Sequence, residues 1–227
     1  MLKIKAMNRY TTNGEEGEIL PNLLGITDEE TLHNAEFEGF LMAEILFTEK
    51  LTQKTKFSVK YICDIHRTAL KELYSFAGRF RSVNISKGGF VFPAGRFIPD
   101  SMRIFEEETL SQLPDHYTSR QALIKDIAKV HGELLFIHPF REGNGRSTRI
   151  WLDCILKKEL HQVIDWSRVD KSDYLLAMER SPIKDVEIKA LLRAALTDRI
   201  TDRLVYMKGI DASYHYEGYH VFRTEDL

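Results

Sequence analysis

Residues 138–149 read His138-Pro139-Phe140-Arg141-Glu142-Gly143-Asn144-Gly145-Arg146-Ser147-Thr148-Arg149, and they join two stretches of helical pattern. Apolar residues at helical spacing run from about 117 to 137, stop at Pro139, and resume over about 143–160 behind a Gly-Asn-Gly turn. Working outward, the same spacing predicts helices from Thr27 to about Thr48, from Val59 through Leu73 to before Gly78, and over 100–112, 171–180, 184–206 and 210–217. Thr27-Asp28-Glu29-Glu30 supplies a capping box for the first of these, and Pro114, Pro139 and Pro182 fall between segments, where a residue without a backbone donor belongs. Only 81–99 departs from the pattern. There Ser82-Val83-Asn84-Ile85-Ser86 and Phe90-Val91-Phe92-Pro93 flank Lys87-Gly88-Gly89 as two short strands around a turn. The expectation is a mainly α fold: one helical domain over 26–206 with a protruding β-hairpin at 84–98, a polar extension at 1–25, and a C-terminal helix and tail at 207–227.

Composition agrees with a single globular chain. The 227 residues are 43% hydrophobic and 29% charged, with 32 basic against 34 acidic side chains, so no global field is available to hold nucleic acid or an anionic membrane. No partner of either kind is expected. Cys63 and Cys154 lie inside apolar-periodic segments rather than in a spaced framework, which reads as reduced thiols packed in a core. The N-terminal residues turn polar before a signal-peptide core could form, and no run approaches a bilayer-spanning length, so the cytoplasm is the expected location.

The 138–149 stretch also carries chemistry. A helix start presents unpaired N–H groups and the positive end of the helix dipole, and glycines let an anion approach that backbone closely. A phosphate is therefore expected over Gly143, Asn144 and Gly145, with Arg146 and Arg149, three apart in the first turns, as guanidinium clamps. Glu142 beside a phosphate calls for a hard cation between them, which points to Mg2+ with a nucleotide. His138 is the candidate general base, an imidazole being able to take a hydroxyl proton near neutral pH. His131, Glu133 and His138 lack the spacing that puts two histidines on one helix face, so zinc is not expected. The Glu106-Glu107-Glu108 run reads as a solvated face, and 151–156 reads as core.

This stretch resembles the signature His-x-Phe-x-(Asp/Glu)-Gly-Asn-Gly-Arg-x-x-Arg of Fic (filamentation induced by cAMP) domain proteins, at every fixed position. The resemblance implies a helical domain that moves AMP from Mg-ATP to a Ser, Thr or Tyr hydroxyl of a target protein, or of itself, and releases pyrophosphate. It implies that His138 deprotonates the hydroxyl and that Glu142 places Mg2+ through the phosphates. Gly143, Asn144 and Gly145 would form the anion hole, with Arg146 on phosphate oxygens and Arg149 on the terminal phosphate. It also implies that the hairpin is a flap registering the target's backbone by strand addition, with Lys87, Gly88, Gly89, Phe90 and Phe92 as docking residues.

Ser213-Tyr214-His215-Tyr216-Glu217-Gly218 matches the family's inhibitory pattern (Ser/Thr)-x-x-x-Glu-(Gly/Asn) in its C-terminal, class III, position. Ser213 and Glu217, four apart, share a helix face. The resemblance implies that Glu217 pairs with Arg149 and denies it to the terminal phosphate. Tyr214, next to Ser213 and so expected near the site, is a candidate for self-modification once the helix releases. Thr12 to Gly17 fits the same pattern, but in a Gly-containing polar stretch not expected to be helical. Two alternatives stay open: removal of AMP by the same site with Glu217 as base, and a non-catalytic nucleotide-binding module. Transfer of phosphate is disfavoured by the retained Gly-Asn-Gly-Arg. Self-association that restrains the terminal helix is a further expectation.

Overall fold

The structure is a computed structural model, and it describes residues 11–12, 19–87, 90–181 and 183–217, with side chains from 19 to 214 within those ranges. Eight helices are present among these residues: α1 (Glu29–Glu49), α2 (Val59–Leu70), α3 (Ile98–Glu108), α4 (Arg120–Ile137), α5 (Asn144–Leu160), α6 (Lys171–Arg180), α7 (Val186–Ala194) and α8 (Arg203–Glu217). Four of the helix starts, those of α1, α2, α4 and α6, are set by side-chain acceptors on the first-turn N–H groups. Asp28 accepts from Thr31, Ser58 from Tyr61, Ser119 from Ala122, and Asp170 from Ser172 and Asp173. Asp28, not Thr27, caps α1, as a carboxylate at the positive end of the helix dipole should.

α5 is the central element. Every residue from Asn144 to Leu156 is buried, and α1, α2, α4 and α8 pack around it. α1 and α2 cross at Gly39, where a β-carbon would lie 2.1 Å from the Ala69 carbonyl oxygen, so glycine sets the closeness of that crossing. Trp151 at the centre meets Phe57 edge-on, and Cys154 lies beside it in the core. Both cysteines are free, and burial raises both thiol pKa values, that of Cys63 to about 11.

The hairpin forms as β2 (Ile85–Lys87) and β3 (Phe90–Val91), antiparallel, with Ser86 opposite Val91 and Lys87 opposite Phe90. The N-terminal extension contributes a strand that its polarity did not suggest: β1 (Thr11–Thr12) pairs with the other edge of β2. Residues 19–26 are likewise part of the body, with Ile19 and Leu20 against the core and the Leu23 N–H on the Leu73 carbonyl.

The helix expected over 184–206 is two elements. α7 stops at Ala194, and β5 (Leu196–Thr197) then pairs antiparallel with β4 (Val163–Ile164) before α8 begins at Arg203. The apolar spacing runs through the break because Leu192, Ala195 and Leu196 face the same core from both elements. The expected short helix at 210–217 is the second half of α8, so the boundary expected at residue 207 lies inside that helix.

Glu44 and Asp153 are buried in the body, where burial raises both carboxyl pKa values, Asp153 to about 7, with the Asp153 charge adding to the rise at Glu44. His66 and His131 are shifted the other way by burial, to about 4 and about 3. Raised carboxyl values contribute stability that is complete below the ordinary carboxylate range and is lost as pH rises through about 7. The lowered histidines contribute stability that is lost as pH falls below their ordinary value of 6.5. Between that value and about pH 8, below the ordinary thiol range, the carboxyls set the slope, so the urea midpoint should fall over that window, and Asp153→Asn, which keeps an acceptor for the Ile164 N–H, should flatten the fall. A midpoint that is flat in the wild type would contradict this.

Candidate active site

α4 ends on His138, whose backbone is left-handed (φ 51°, ψ 62°) while its N–H still bonds the Leu134 carbonyl. A non-glycine residue there costs about 1–3 kcal/mol unless its surroundings hold it. Arg81 is that support. It is buried at the foot of the hairpin, with Nε on the His138 carbonyl at 2.7 Å, Nη1 on Val83 at 2.8 Å, and Nη2 on Pro93 and Ile137 at 2.7 and 3.3 Å. Its backbone N–H bonds the Pro139 carbonyl at 2.8 Å. A fixed cation at the negative end of α4 is favoured, and its planar fork joins both feet of the hairpin to the end of the helix. Nothing in the sequence pattern singled out Arg81.

The His138 imidazole is oriented from two sides. Nδ1 lies 2.7 Å from the Leu135 carbonyl, which can only accept, so the neutral ring carries its proton on Nδ1 and presents a lone pair at Nε2. Phe92 stacks on the ring, with centroids 3.9 Å apart at 24°. Phe92 thus holds the His138 ring, whereas Phe90 is half exposed beside it and Val91 is exposed at the rim. β1 covers one edge of β2, so β2 is the inner strand and β1 and β3 are the two edges of the sheet, β3 being the one that leads into Phe92.

The turn after His138 is closed by Asn144, whose Oδ1 accepts from the Phe140 N–H and whose Nδ2 donates to the Phe140 carbonyl, both at 2.8 Å. Gly143 is left-handed (φ 72°), and a β-carbon there would lie 2.6 Å from Phe40 Cζ, so both conformation and space require glycine. His66 braces the turn from α2. It stacks on Phe140 at 3.9 Å, accepts the Gly78 N–H at Nδ1, and donates from Nε2 to the Glu142 carbonyl. α5 then opens with first-turn N–H groups that have no partner within their own helix, an anion cradle fixed by Asn144 and Gly143.

Arg146 departs from the expectation of an open clamp. Its guanidinium is buried, with Nη1 on Glu36 Oε2 at 2.8 Å and Nη2 on Glu142 Oε1 at 2.6 Å, and with the rings of Tyr214 and Phe40 at 4.3 and 4.8 Å. Glu142 Oε1 also accepts the Gly143 N–H at 2.8 Å. Arg149, one turn on, lies over Trp166 and Tyr174 at 5.1 and 5.4 Å. Arg149 and Ser213 of α8 line one small cavity, so α8 covers the face that Arg149 presents. The Ser213 hydroxyl bonds the Gly209 carbonyl. Tyr214 is buried, its hydroxyl 3.3 Å from Glu36 Oε2 and its ring against His33 and Phe37. Gly88, Gly89, Gly218 and the side chain of Glu217 lie outside the described residues.

A mostly helical body around a buried α5, with an Asn-locked anion cradle and a hairpin stacked on the preceding histidine, defines the fold class before any comparison. Residues 56–156 match the Fic/DOC family, and the chain carries a Fic domain. It is 30% identical over 213 residues to the protein adenylyltransferase VbhT of Bartonella schoenbuchensis, covering 90% of this chain and 42% of that protein. It is 26% identical to the protein adenylyltransferase Fic of Nematostella vectensis over 81% of this chain and 43% of that one. The chain thus spans about two fifths of these relatives. In fold it resembles the ADP-bound N-terminal Fic domain of a cell filamentation protein from Bartonella quintana, at TM-score 0.66 and 20% identity over 81% of this chain and 93% of that one. No described helix is long and apolar enough to cross a membrane.

Proposed function

We propose that this chain is a protein adenylyltransferase acting on a protein hydroxyl with Mg-ATP, restrained by α8. The observation that carries the reading is the His138 tautomer: Nδ1–H is spent on the Leu135 carbonyl, so Nε2 is the acceptor, next to a helix start built for phosphate. The target hydroxyl oxygen attacks the α-phosphorus, its proton passes to Nε2, and the bond to the bridging oxygen breaks to release pyrophosphate. The backbone of 143–146 and Arg149 hold the phosphates, and any phosphate reaching Arg146 must compete with Glu36 and Glu142 for it.

Among the described residues no cluster of three His, Cys, Asp or Glu could hold a metal, so a dedicated protein cage is not the arrangement. A single hard carboxylate at the mouth of a phosphate cradle fits an ion that arrives with the nucleotide, and Glu142 would hold it. Mg2+ there would neutralise charge developing on the phosphates.

α8 is the brake in this reading. It covers the Arg149 face, and Glu217 at its end competes with the terminal phosphate for that guanidinium. The buried Tyr214 becomes available for self-labelling only when α8 lifts. Incorporation from α-labelled ATP, into the protein itself and into defined protein acceptors, should be weak in the wild type and at least about tenfold stronger in Glu217→Gly. Equal, strong labelling in both would remove the brake, and ATP binding without labelling in either would point to a binding module. Removal of Mg2+ by chelation should stop transfer in every variant.

Arg81→Lys should lower the transfer rate at least about tenfold, because a point charge cannot reproduce five directed donors. Its KM for ATP should hold, since the guanidinium bonds run to the end of α4 and to the feet of the hairpin. A rise in KM at unchanged kcat would contradict this placement.

A further inference from the structure

A cavity of about 870 Å3 opens between α3, α4 and the connection from α6 to α7. It takes no part in the site described above. Its apolar walls are exposed: Ile183 at 96%, Phe136 at 52% and Ile104 at 43% of their full surface. Side chains of this size are rarely left so open together unless something covers them. Around them stand three carboxylates, Glu108, Glu133 and Asp185, against the one ammonium of Lys129. Lys129 lies 3.6 Å from Glu133, and Asp185 pairs with Lys189 outside the cavity, while Glu108 has no ion pair among the described residues.

The groove leads to the catalytic end of the fold. Lys129, Gly132, Glu133 and Phe136 recur at i, i+3, i+4 and i+7 along α4, so they form one stripe that finishes two residues before His138. Phe136 meets Phe90 of β3 with ring centroids 6.4 Å apart, so apolar surface is continuous from the groove to the hairpin edge. Gly132 lets the α6–α7 connection approach closely, with Ser181 Oγ 3.2 Å from where its β-carbon would be.

We infer that this groove binds an extended segment of the protein target flanking the modified hydroxyl, a segment that carries an apolar side chain and at least one Lys or Arg. The inference rests on the adenylyltransferase reading and names its substrate class. The net negative rim selects the basic residue, and the open Ile183, Phe136 and Ile104 take the apolar one. From Lys129 to Phe136 the helix rises about 10 Å, the span of about three extended residues, which puts the basic residue within about five positions of the hydroxyl.

The test uses the full chain carrying Glu217→Gly and synthetic fluorescent peptides of about 13 residues with a central Thr or Tyr, differing in Lys or Glu and in Leu or Ser at the flanking positions. Binding is read by anisotropy, independent of transfer. The Lys- and Leu-containing peptides should bind at least about tenfold tighter than those with Glu, the difference should shrink in high salt, and Glu108→Lys with Asp185→Lys should abolish or invert it. Both substitutions are in partly exposed side chains outside the catalytic machinery. Absence of binding, binding without charge preference, or a preference that survives the double substitution overturns the proposal. So does a concentration-dependent dimer, seen by sedimentation, that the double substitution dissociates, because the occupant is then a second copy of the chain. Transfer from α-labelled ATP to the same peptides is scored separately: selective binding with no transfer in any variant sinks the transferase reading and leaves the groove as a peptide site.

Discussion

His138→Ala is expected to lower AMP transfer by at least about a hundredfold while leaving ATP affinity within about twofold of wild type. The split follows from where the side chain is held. Its Nδ1 is committed to the Leu135 carbonyl and its face to Phe92, so Nε2 is the ring nitrogen that carries the lone pair, while the turn into α5 is closed by Asn144 across Phe140. The cradle is built by Asn144 across the Phe140 peptide, by His66 on the Glu142 carbonyl and by the left-handed Gly143. Initial rates with α-labelled ATP in the Glu217→Gly background, beside calorimetric ATP binding, measure both quantities. Retained transfer would show that another group accepts the proton, and loss of ATP binding would show that His138 shapes the cradle. Phe92→Leu provides an intermediate case: the base keeps its Nδ1 bond but loses its stacked partner, so the rate should fall less than for His138→Ala.

The grouping of the candidate site was legible in sequence because the histidine, acidic residue, glycines and asparagine of 138–149 lie on one turn and one helix start, where neighbours in sequence are neighbours in space. The flanking helices were legible for the same local reason. What escaped reading was set by distant contacts. Arg81 is an ordinary charged residue in a loop until the ends of α4 and the hairpin meet around it. Glu36 and His66 did leave a trace, since each interrupts the apolar stripe of an amphipathic helix beside Phe37 and Phe40 or Ile62 and Leu70. A polar group in such a stripe is buried with a partner or is functional, but the pattern does not name the partner. Arg146 was read as facing a ligand because the spacing of Arg146 and Arg149 places them on one side of α5, whereas Glu36 lies more than a hundred residues earlier in the chain. β4 and β5, two residues each, are too short for alternation to show, and Leu196 kept the helical rhythm while leaving the helix.

The Glu36 carboxylate links the start of α5 to α8, and Glu36→Ala is expected to destabilise the fold by about 3–5 kcal/mol. Three groups converge on it: Arg146 Nη1 at 2.8 Å, the Tyr74 hydroxyl and the Tyr214 hydroxyl at 3.3 Å. Removing the carboxylate takes a charge partner from the Arg146 guanidinium, which is 1% exposed, and the acceptor of the Tyr74 hydroxyl's bond to Glu36. Urea unfolding should show a large drop in midpoint at an unchanged slope. Because such a loss can prevent folding outright, Tyr214→Phe carries the functional half of the argument. It deletes one hydroxyl, keeps the ring over Arg146, and should cost only about 0.5–1.5 kcal/mol. That loss falls on the contact between α8 and α1, so it should raise transfer in the otherwise wild-type chain and add little in Glu217→Gly, where α8 no longer restrains the site. Tyr214→Phe that lowers transfer in both backgrounds would mean that the tyrosine serves catalysis rather than holding the helix down.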